Sequence, residues 1–247
     1  MDLANTFIDW LRPDWFLNLA VVSDDYNRGR YVAGLWMTIK LSVVSIFLSL
    51  LVGVLGAAVQ GAPSRTLRVA VGLFVAFFRN TPPLVQLYFF YFAIGTVLRI
   101  TGENGLPQPL ISNFGWAIIS LSLFAGALNV EIFRAGVEAV PRSTVEAAEA
   151  LGYTRLQIYT DIVLPLAVRV SLPALGTNLV NLVKTTTLAY AIAVPELLYI
   201  SAQIWSEDLN VREMMNVLLV SYVGLVAVLV WVLHRWEKAL RIPGYGE

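Results

Sequence analysis

The sequence predicts an all-α membrane protein of five transmembrane helices, with the N-terminus outside and the C-terminus in the cytoplasm. Three observations predict it. Of the 247 residues 57% are hydrophobic and 14% are charged, with a mean hydropathy of +0.70, so bilayer is the expected solvent. Five stretches are long and apolar enough to cross a hydrocarbon core as helices. The basic residues concentrate on alternate connections between those stretches.

The spans fall at residues 36–59, 82–98, 114–133, 172–194 and 216–233. Residues 69–78 are also apolar, but the break Arg79-Asn80-Thr81-Pro82-Pro83 separates them from the second span. They read as an interfacial elbow. Thr81 with Pro82 suits a helix N-terminus, where the missing proline N–H costs nothing.

From the second span onward, the connections holding Arg99 and Arg212 carry one basic residue each. The alternate ones carry Arg65, Arg68 and Arg79, then Arg134, Arg142, Arg155 and Arg169, then Arg235, Lys238 and Arg241. That side is cytoplasmic by the positive-inside rule. The chain divides into an external tail (1–33), a membrane domain (34–235) and a cytoplasmic tail (236–247). In the first tail Trp10, Trp15 and Phe16 fit either an aromatic interfacial anchor or a loosely ordered segment. Met1-Asp2-Leu3 opens without a basic region, so no cleaved signal is expected.

With 17 basic and 17 acidic side chains the net charge is zero, which gives no support to nucleic-acid binding. There is no cysteine, so disulfides, thiolate metal sites and cysteine catalysis are excluded. His234 is the single histidine, at the end of the last span, and no catalytic role falls to it. A membrane enzyme would need a convergent nucleophile, base or metal set.

Between the third and fourth spans, residues 134–169 hold eight charges in a charge-poor chain. Ser143 followed by Glu146 has capping-box spacing. Ala147, Ala148 and Leu151 then make one apolar face, and Gly152 supplies the left-handed residue that ends a helix. Thr154 with Gln157 repeats the box; Leu156, Tyr159 and Val163 form a second stripe, and Leu164-Pro165 is expected to stop that helix. The prediction is helix, glycine elbow, helix, a compact body that a soluble partner can grip.

Inside the spans a lysine is costly unless it faces a cavity or a partner, and Lys184 lies within the fourth. Lys184 with Thr185, Thr186, Thr187, Asn178 and Asn181 either lines a translocation path or is structural, Lys184 then pairing with Glu131 or bonding helix carbonyls. Gln86 and Asn129 are weaker path candidates, since a single amide in a span is more often interhelical glue. Glu131 and Arg134 have the spacing of a local ion pair. Gly53, Gly56, Ala57, Ala174 and Gly176 permit close helix packing, within one subunit or between two. Five helices with so few internal polar groups do not enclose a polar path alone, so a second copy, identical or related, is implied.

The run Glu146-Ala147-Ala148-Glu149-Ala150-Leu151-Gly152, nine residues, then Ile162-Val163-Leu164-Pro165 resembles the EAA signature of ABC importer permeases at every fixed position. The resemblance implies a permease fold whose cytoplasmic coupling helix docks on a nucleotide-binding subunit, with Glu146, Ala147, Ala148, Ala150, Leu151 and Gly152 in the contact. Phe78-Arg79-Asn80-Thr81-Pro82-Pro83-Leu84-Val85-Gln86, Glu131-Ile132-Phe133-Arg134-Ala135-Gly136, Lys184-Thr185-Thr186-Thr187-Leu188 and Pro195-Glu196-Leu197-Leu198 resemble stretches of the polar amino acid uptake branch, which includes opine permeases. Thr185 stands where that branch usually has an acidic residue, Arg142-Ser143-Thr144 replaces a K-G-Q-like stretch, and Leu166 replaces a common glutamine. The phosphate loop G-x-x-x-x-G-K-[ST] is absent, so this chain is expected to bind no cofactor and to be no enzyme. ATP and magnesium would sit on a separate ATPase dimer, and the family further implies an external solute-binding protein and a bacterial inner membrane. A secondary carrier or channel is the competing class; it predicts inverted repeats or paired acidic residues in spans, and neither is found.

Overall fold

The computed structural model describes residues 24–102 and 106–240; Trp10, Trp15 and Phe16 lie outside them. Helix α1 (Asp25–Gln60) opens at Asp24, whose carboxylate accepts from the Tyr26 and Asn27 amides at 3.1 and 3.3 Å, an N-cap. The helix therefore begins eleven residues before the expected span, and residues 25–33, expected in the tail, are helical. Next come α2 (Arg65–Asn80) and α3 (Pro83–Tyr88), the latter widening into a π-helical stretch (Phe89–Ile94). A two-stranded hairpin, β1 (Arg99–Thr101) with β2 (Pro107–Pro109), is antiparallel with Ile100 opposite Gln108.

Helix α4 (Asn113–Glu138) is followed by α5 (Arg142–Ala150) and α6 (Arg155–Gln157). A π-helical turn (Ile158–Val163) then leads directly into α7 (Leu164–Thr185) and a 3-10 stretch (Thr186–Ile192). Last come α8 (Leu197–Asp208), which the apolar pattern does not reveal, and α9 (Val211–Leu240). Leu164-Pro165 does not stop the helix as expected. The wide turn ends at Val163, just ahead of the proline, and such a turn re-routes the carbonyls that a proline ring would otherwise strike.

Among the described residues four helical runs are long and apolar enough to cross a membrane: Asp25–Gln60, Asn113–Glu138, Arg155–Ile192 and Val211–Ala239. The shorter Pro83–Ile94 is apolar too. Helices α1 and α4 run parallel in close contact, because methyl groups added at Gly53, Gly56 or Gly126 would overlap Asn129, Val130 and Val52. α7 runs antiparallel to α4, and Gly136 allows the approach: a methyl there would strike Ser171 and fall 2.7 Å from the Ala167 carbonyl oxygen. Across this three-helix junction Asn178 Nδ2 donates to Asn129 Oδ1 (2.8 Å) and the Ala125 carbonyl (3.0 Å), and Asn129 Nδ2 donates to Ser49 Oγ (3.2 Å). α9 packs on α7 more loosely, with a methyl at Gly176 falling 3.7 Å from Leu233.

Helix α2 crosses the end of this bundle. It starts just past the end of α1, whose Gly56 abuts Val130, and it ends with Arg79 bonded to Glu131 at 3.4 Å. Sixteen helical residues thus gain little depth, which fits the expected elbow. Buried Val75 and Phe78 face the bundle while Leu67, Val69, Leu73 and Phe77 are exposed.

At the opposite end, the first turns of α1, the whole of α8 and the first turns of α9 form a helical cap. Its core is Tyr31, Leu197, Ile204, Met214 and Leu218. Arg30 grips Glu207 through two bonds, at 2.5 and 2.9 Å, and Gln203 at 3.1 Å, while Asn27 donates to Asp208 at 3.0 Å. The Arg30 guanidinium holds the Glu207 carboxyl below the usual carboxylate range. Thr38 stands at the base of the cap, accepting from the Leu197 amide at 3.0 Å, and Asn113 at the start of α4 donates to Ile192 at 2.8 Å. Residues 25–37 therefore carry the cap about 20 Å beyond α4, at about 1.5 Å of rise per residue.

Candidate functional site

Two regions hold the residues singled out in the sequence: the elbow between α4 and α7, and the polar face of α7 with its neighbours. In the elbow, α5 is preceded by Pro141 with no side-chain cap, so the expected Ser143–Glu146 box is not formed. Helical geometry begins at Arg142, which places Ser143 inside the first turn rather than before it. The second box is present: Thr154 Oγ1 accepts from the Gln157 amide and Gln157 Oε1 accepts from the Thr154 amide.

Gly152 ends α5 with φ +82°. The Tyr153 amide reaches the Ala148 carbonyl at 3.1 Å and the Gly152 amide the Glu149 carbonyl at 3.0 Å, the two bonds of a Schellman motif. A methyl at Gly152 would meet nothing within 4 Å. The position needs glycine for its backbone conformation, and among the described residues no side chain crowds it.

The inward face of the elbow differs from the expected stripes. Ala148, Ile158 and Val163 are buried with Val140 and Ala167, and Val145 and Ile162 pack against them. Ala147, grouped with Ala148 in the expected apolar face, is exposed, as are Glu146 and Ala150. Leu151 is 78% exposed, Leu156 73%, Tyr159 46% and Tyr153 44%. The reason is geometric. Within the regular turns of α5 only Ala148 is buried, and the π-helical turn at Ile158–Val163 shifts the second stripe off the phase that a 3.6-residue count assumes, so that Ile158 rather than Tyr159 turns inward. The outcome is a knob with an apolar outer surface, and Tyr153 belongs to it although no periodicity marked it.

On α7, Lys184 opens onto a groove of about 350 Å³ between α7 and α9, shared with Thr177, Asn181, His234 and Glu237. His234 Nδ1 lies 3.8 Å from Glu237. Thr185, Thr186 and Thr187 donate to the carbonyls of Asn181 (2.6 Å), Val183 (2.7 Å) and Lys184 (2.9 Å). They sit where the α-helix tightens into the 3-10 stretch, and Thr186 is fully buried. A second groove, of about 670 Å³ between α4 and α7, is lined by Arg79, Glu131, Arg134, Ser171, Asn178 and Asn181 among others.

The pair of Lys184 with Glu131 is not made. Glu131 instead binds Arg134 at 3.1 Å and Arg79 at 3.4 Å, because both arginines lie at its own end of the bundle. Asn129 and Asn178 are brought together in the three-helix junction. Gln86 lies apart, at the α2–α3 joint, where its Nε2 donates to the Phe78 carbonyl (2.9 Å) and to Thr81 O (3.0 Å) and Oγ1 (2.7 Å). Among these, Lys184 and Asn181 are the exposed members.

Residues 49–242 match the family described as "Binding-protein-dependent transport system inner membrane component". The chain belongs to this family. Among binding-protein-dependent permeases, it is 30% identical over 213 residues to the histidine/lysine/arginine/ornithine permease HisM of Salmonella typhimurium, covering 86% of this chain and 91% of that one. It is 29% identical over 244 residues to the glutamate/aspartate import permease GltJ of Escherichia coli K12, covering 96% and 97%. The fold is similar to a crystal structure of an amino acid ABC transporter with histidines, at a TM-score of 0.77 and 24% identity over 88% of this chain and 97% of that one. It is also similar to the inward-facing MetNI methionine ABC transporter, at 0.68 and 21%, over 89% and 100%. Membership makes this chain a multi-pass permease component of such a system.

Proposed function

We propose that this chain is the membrane-spanning subunit of an ATP-driven, binding-protein-dependent importer of polar amino acids or related compounds such as opines. It forms half of the translocation pathway in a bacterial inner membrane, beside a second permease copy that is identical or paralogous. The observation that carries this reading is the knob around Gly152. Leu151, Tyr153, Leu156 and Tyr159 present apolar surface at the basic end of the bundle, on a body whose own core is already filled. Exposed apolar surface outside the hydrocarbon region calls for a protein partner, and the partner is one half of a separate ATPase dimer that carries the ATP and magnesium. Glu146, Ala147, Ala150 and Gly152 provide the rest of the contact, whereas Ala148, which the resemblance places there, is filled into the elbow's own core.

The basic end is taken as cytoplasmic and the cap as external. The fifth crossing then falls to α3 and its π-helical extension and is a short one: the 12 residues of Pro83–Ile94 give about 18 Å of helix against about 30 Å of hydrocarbon, and α2, lying across the end of the bundle, adds little depth. Closure of the ATPase dimer moves the two docked knobs, and each knob is continuous through α6 with α7. The push thus reaches Lys184 and Asn181 without a flexible joint. Lys184 with Asn181 receives the carboxylate of a passing zwitterion, Thr185 and Thr187 lining the path beside them; Asn178, Asn129, Gln86, Thr186 and Glu131 hold the helices that carry this lining. Coupling requires that ATPase and binding protein favour different states, since equal affinity for both shifts nothing.

The test is uptake in proteoliposomes containing the chain, its ATPase and its binding protein. Uptake that needs internal ATP and is blocked by vanadate is expected. Uptake driven by an ion gradient, with no ATPase retained through purification in mild detergent, would assign the chain to the carrier class instead.

A further inference from the structure

At the base of the cap the chain buries a carboxylate that neither the knob nor the path uses. Glu196 is fully buried. Its Oε1 accepts from the Tyr199 amide at 2.8 Å, and its Oε2 accepts from the Leu198 amide and from the Tyr222 hydroxyl, each at 2.9 Å. Among the described residues no charged side chain compensates it. Burying a carboxylate is costly unless several donors meet it, and here the first turn of α8 and its dipole supply two of the three.

A serine or aspartate would cap α8 as well. What glutamate adds is reach, since one carboxylate spans from the α8 amides to a hydroxyl on α9. That hydroxyl lies beside those of Thr38 on α1 and Thr186 at the start of the 3-10 stretch, where Thr186 gives its own proton to the Val183 carbonyl, so the tie to Thr186 is one of packing. Thr38 in turn accepts from the Leu197 amide at 3.0 Å. Four elements thus meet through Glu196, Tyr222, Thr38 and Thr186, and Thr186 lies two residues after Lys184.

The cap above this cluster is closely packed, α8 turning into α9 at Leu209, a left-handed residue at φ 55°. Gly34 lets α1 approach α8 so closely that a methyl there would lie 3.0 Å from Ile200 Cγ1, and Arg30 clamps the far end of α8 through Glu207 and Gln203. Between cap and path the covalent link bends at Ala193, a non-glycine residue at φ 56°. Such left-handed backbone persists where the surroundings hold it and marks a joint.

We propose that Glu196, acting through Tyr222 and Thr186, is the positioning residue that ties the outer cap to the polar lining around Lys184. A loaded solute-binding protein seated on the cap would thereby be sensed at the path. This rests on the proposed function, which takes the cap as the external face.

The experiment compares Tyr222→Phe and Glu196→Gln with the unsubstituted chain in the complete complex, in nanodiscs. Basal ATPase rate, maximal stimulation by solute-loaded binding protein, and the binding-protein concentration giving half of it are measured. Phenylalanine keeps the packing at 222 and leaves the α8 cap untouched. The expected result for Tyr222→Phe is an unchanged basal rate, half-saturation within about twofold, and stimulation reduced about fivefold, roughly 1 kcal/mol of lost coupling. Glu196→Gln should follow in the same direction. Unchanged stimulation in both variants overturns the proposal. So does a fall in stimulation matched by an equal shift in half-saturation, which would make the cap a docking surface and no more. Loss of assembly in both would show a structural role alone and equally overturn it. A complex that fails to respond to binding protein before any substitution is made removes the proposed function itself, and is recognisable by that order.

Discussion

Helices α4 and α9 are both apolar and both long enough to cross a bilayer, yet they live in opposite surroundings. In its most apolar window α4 is 56% buried within the chain, while α9 is 6% buried. α4 carries Gly126, Asn129 and Gly136, which let other backbones approach and bond across, whereas the exposed side of α9 is Leu219, Val220, Val223, Val228, Val230 and Trp231. In lipid there is little hydrophobic drive for helix association, so small and polar residues decide which face meets protein. Hydropathy finds a span; glycine and asparagine find its neighbours.

The sharpest way to break that contrast is Gly136→Val on α4. The added side chain meets the Ala167 carbonyl and Ser171, and backbone yields little. Overpacking of about 3 kcal/mol should cut the yield of monodisperse protein in size-exclusion chromatography by tenfold or more. Gly152→Trp should do the reverse: insertion and yield stay normal, because the site is open within the chain and the left-handed strain is only about 1–2 kcal/mol, while ATP-driven uptake falls below a tenth. Normal uptake by that variant would refute the docking assignment.

Lys184→Met should lower uptake several-fold more than it lowers yield; unchanged uptake kinetics would retire the carboxylate role. Asn178→Ala leaves Asn129 Oδ1 without its partner and should cost about 1 kcal/mol, read as a drop of a few degrees in melting temperature in detergent. At the small end, Leu219→Ala on the exposed side of α9 should shift stability by less than about 0.5 kcal/mol. A large loss there would mean that α9 is covered within the chain after all.

Much of the candidate site could be seen in the residues themselves. The elbow at Gly152 and the Thr154–Gln157 box are local, set by one left-handed backbone position and a three-residue spacing, and both are present. The apolar stripes differ from the residue count because α5 buries Ala148 but not Ala147 or Leu151, and because the second stripe runs into a π-helical segment, where a regular count loses phase. The Glu196 cluster gave no sequence signal beyond a Pro-Glu-Leu-Leu run, since its members, Thr38, Thr186, Glu196 and Tyr222, come from four separate elements. α8 went unseen for a related reason. It is short, partly polar at its end, and helical because α1 and α9 cover it.

What the residue order establishes alone is solvent and local geometry: runs of apolar side chains demand lipid, and a glycine past a helix end demands a turn. Which groups share a partner is a different matter, because it depends on angles and depths that accumulate over whole helices. Glu131 binding two arginines at its own end rather than Lys184, and the outward turn of Leu151 and Leu156, were decided only when α4, α5 and α7 packed.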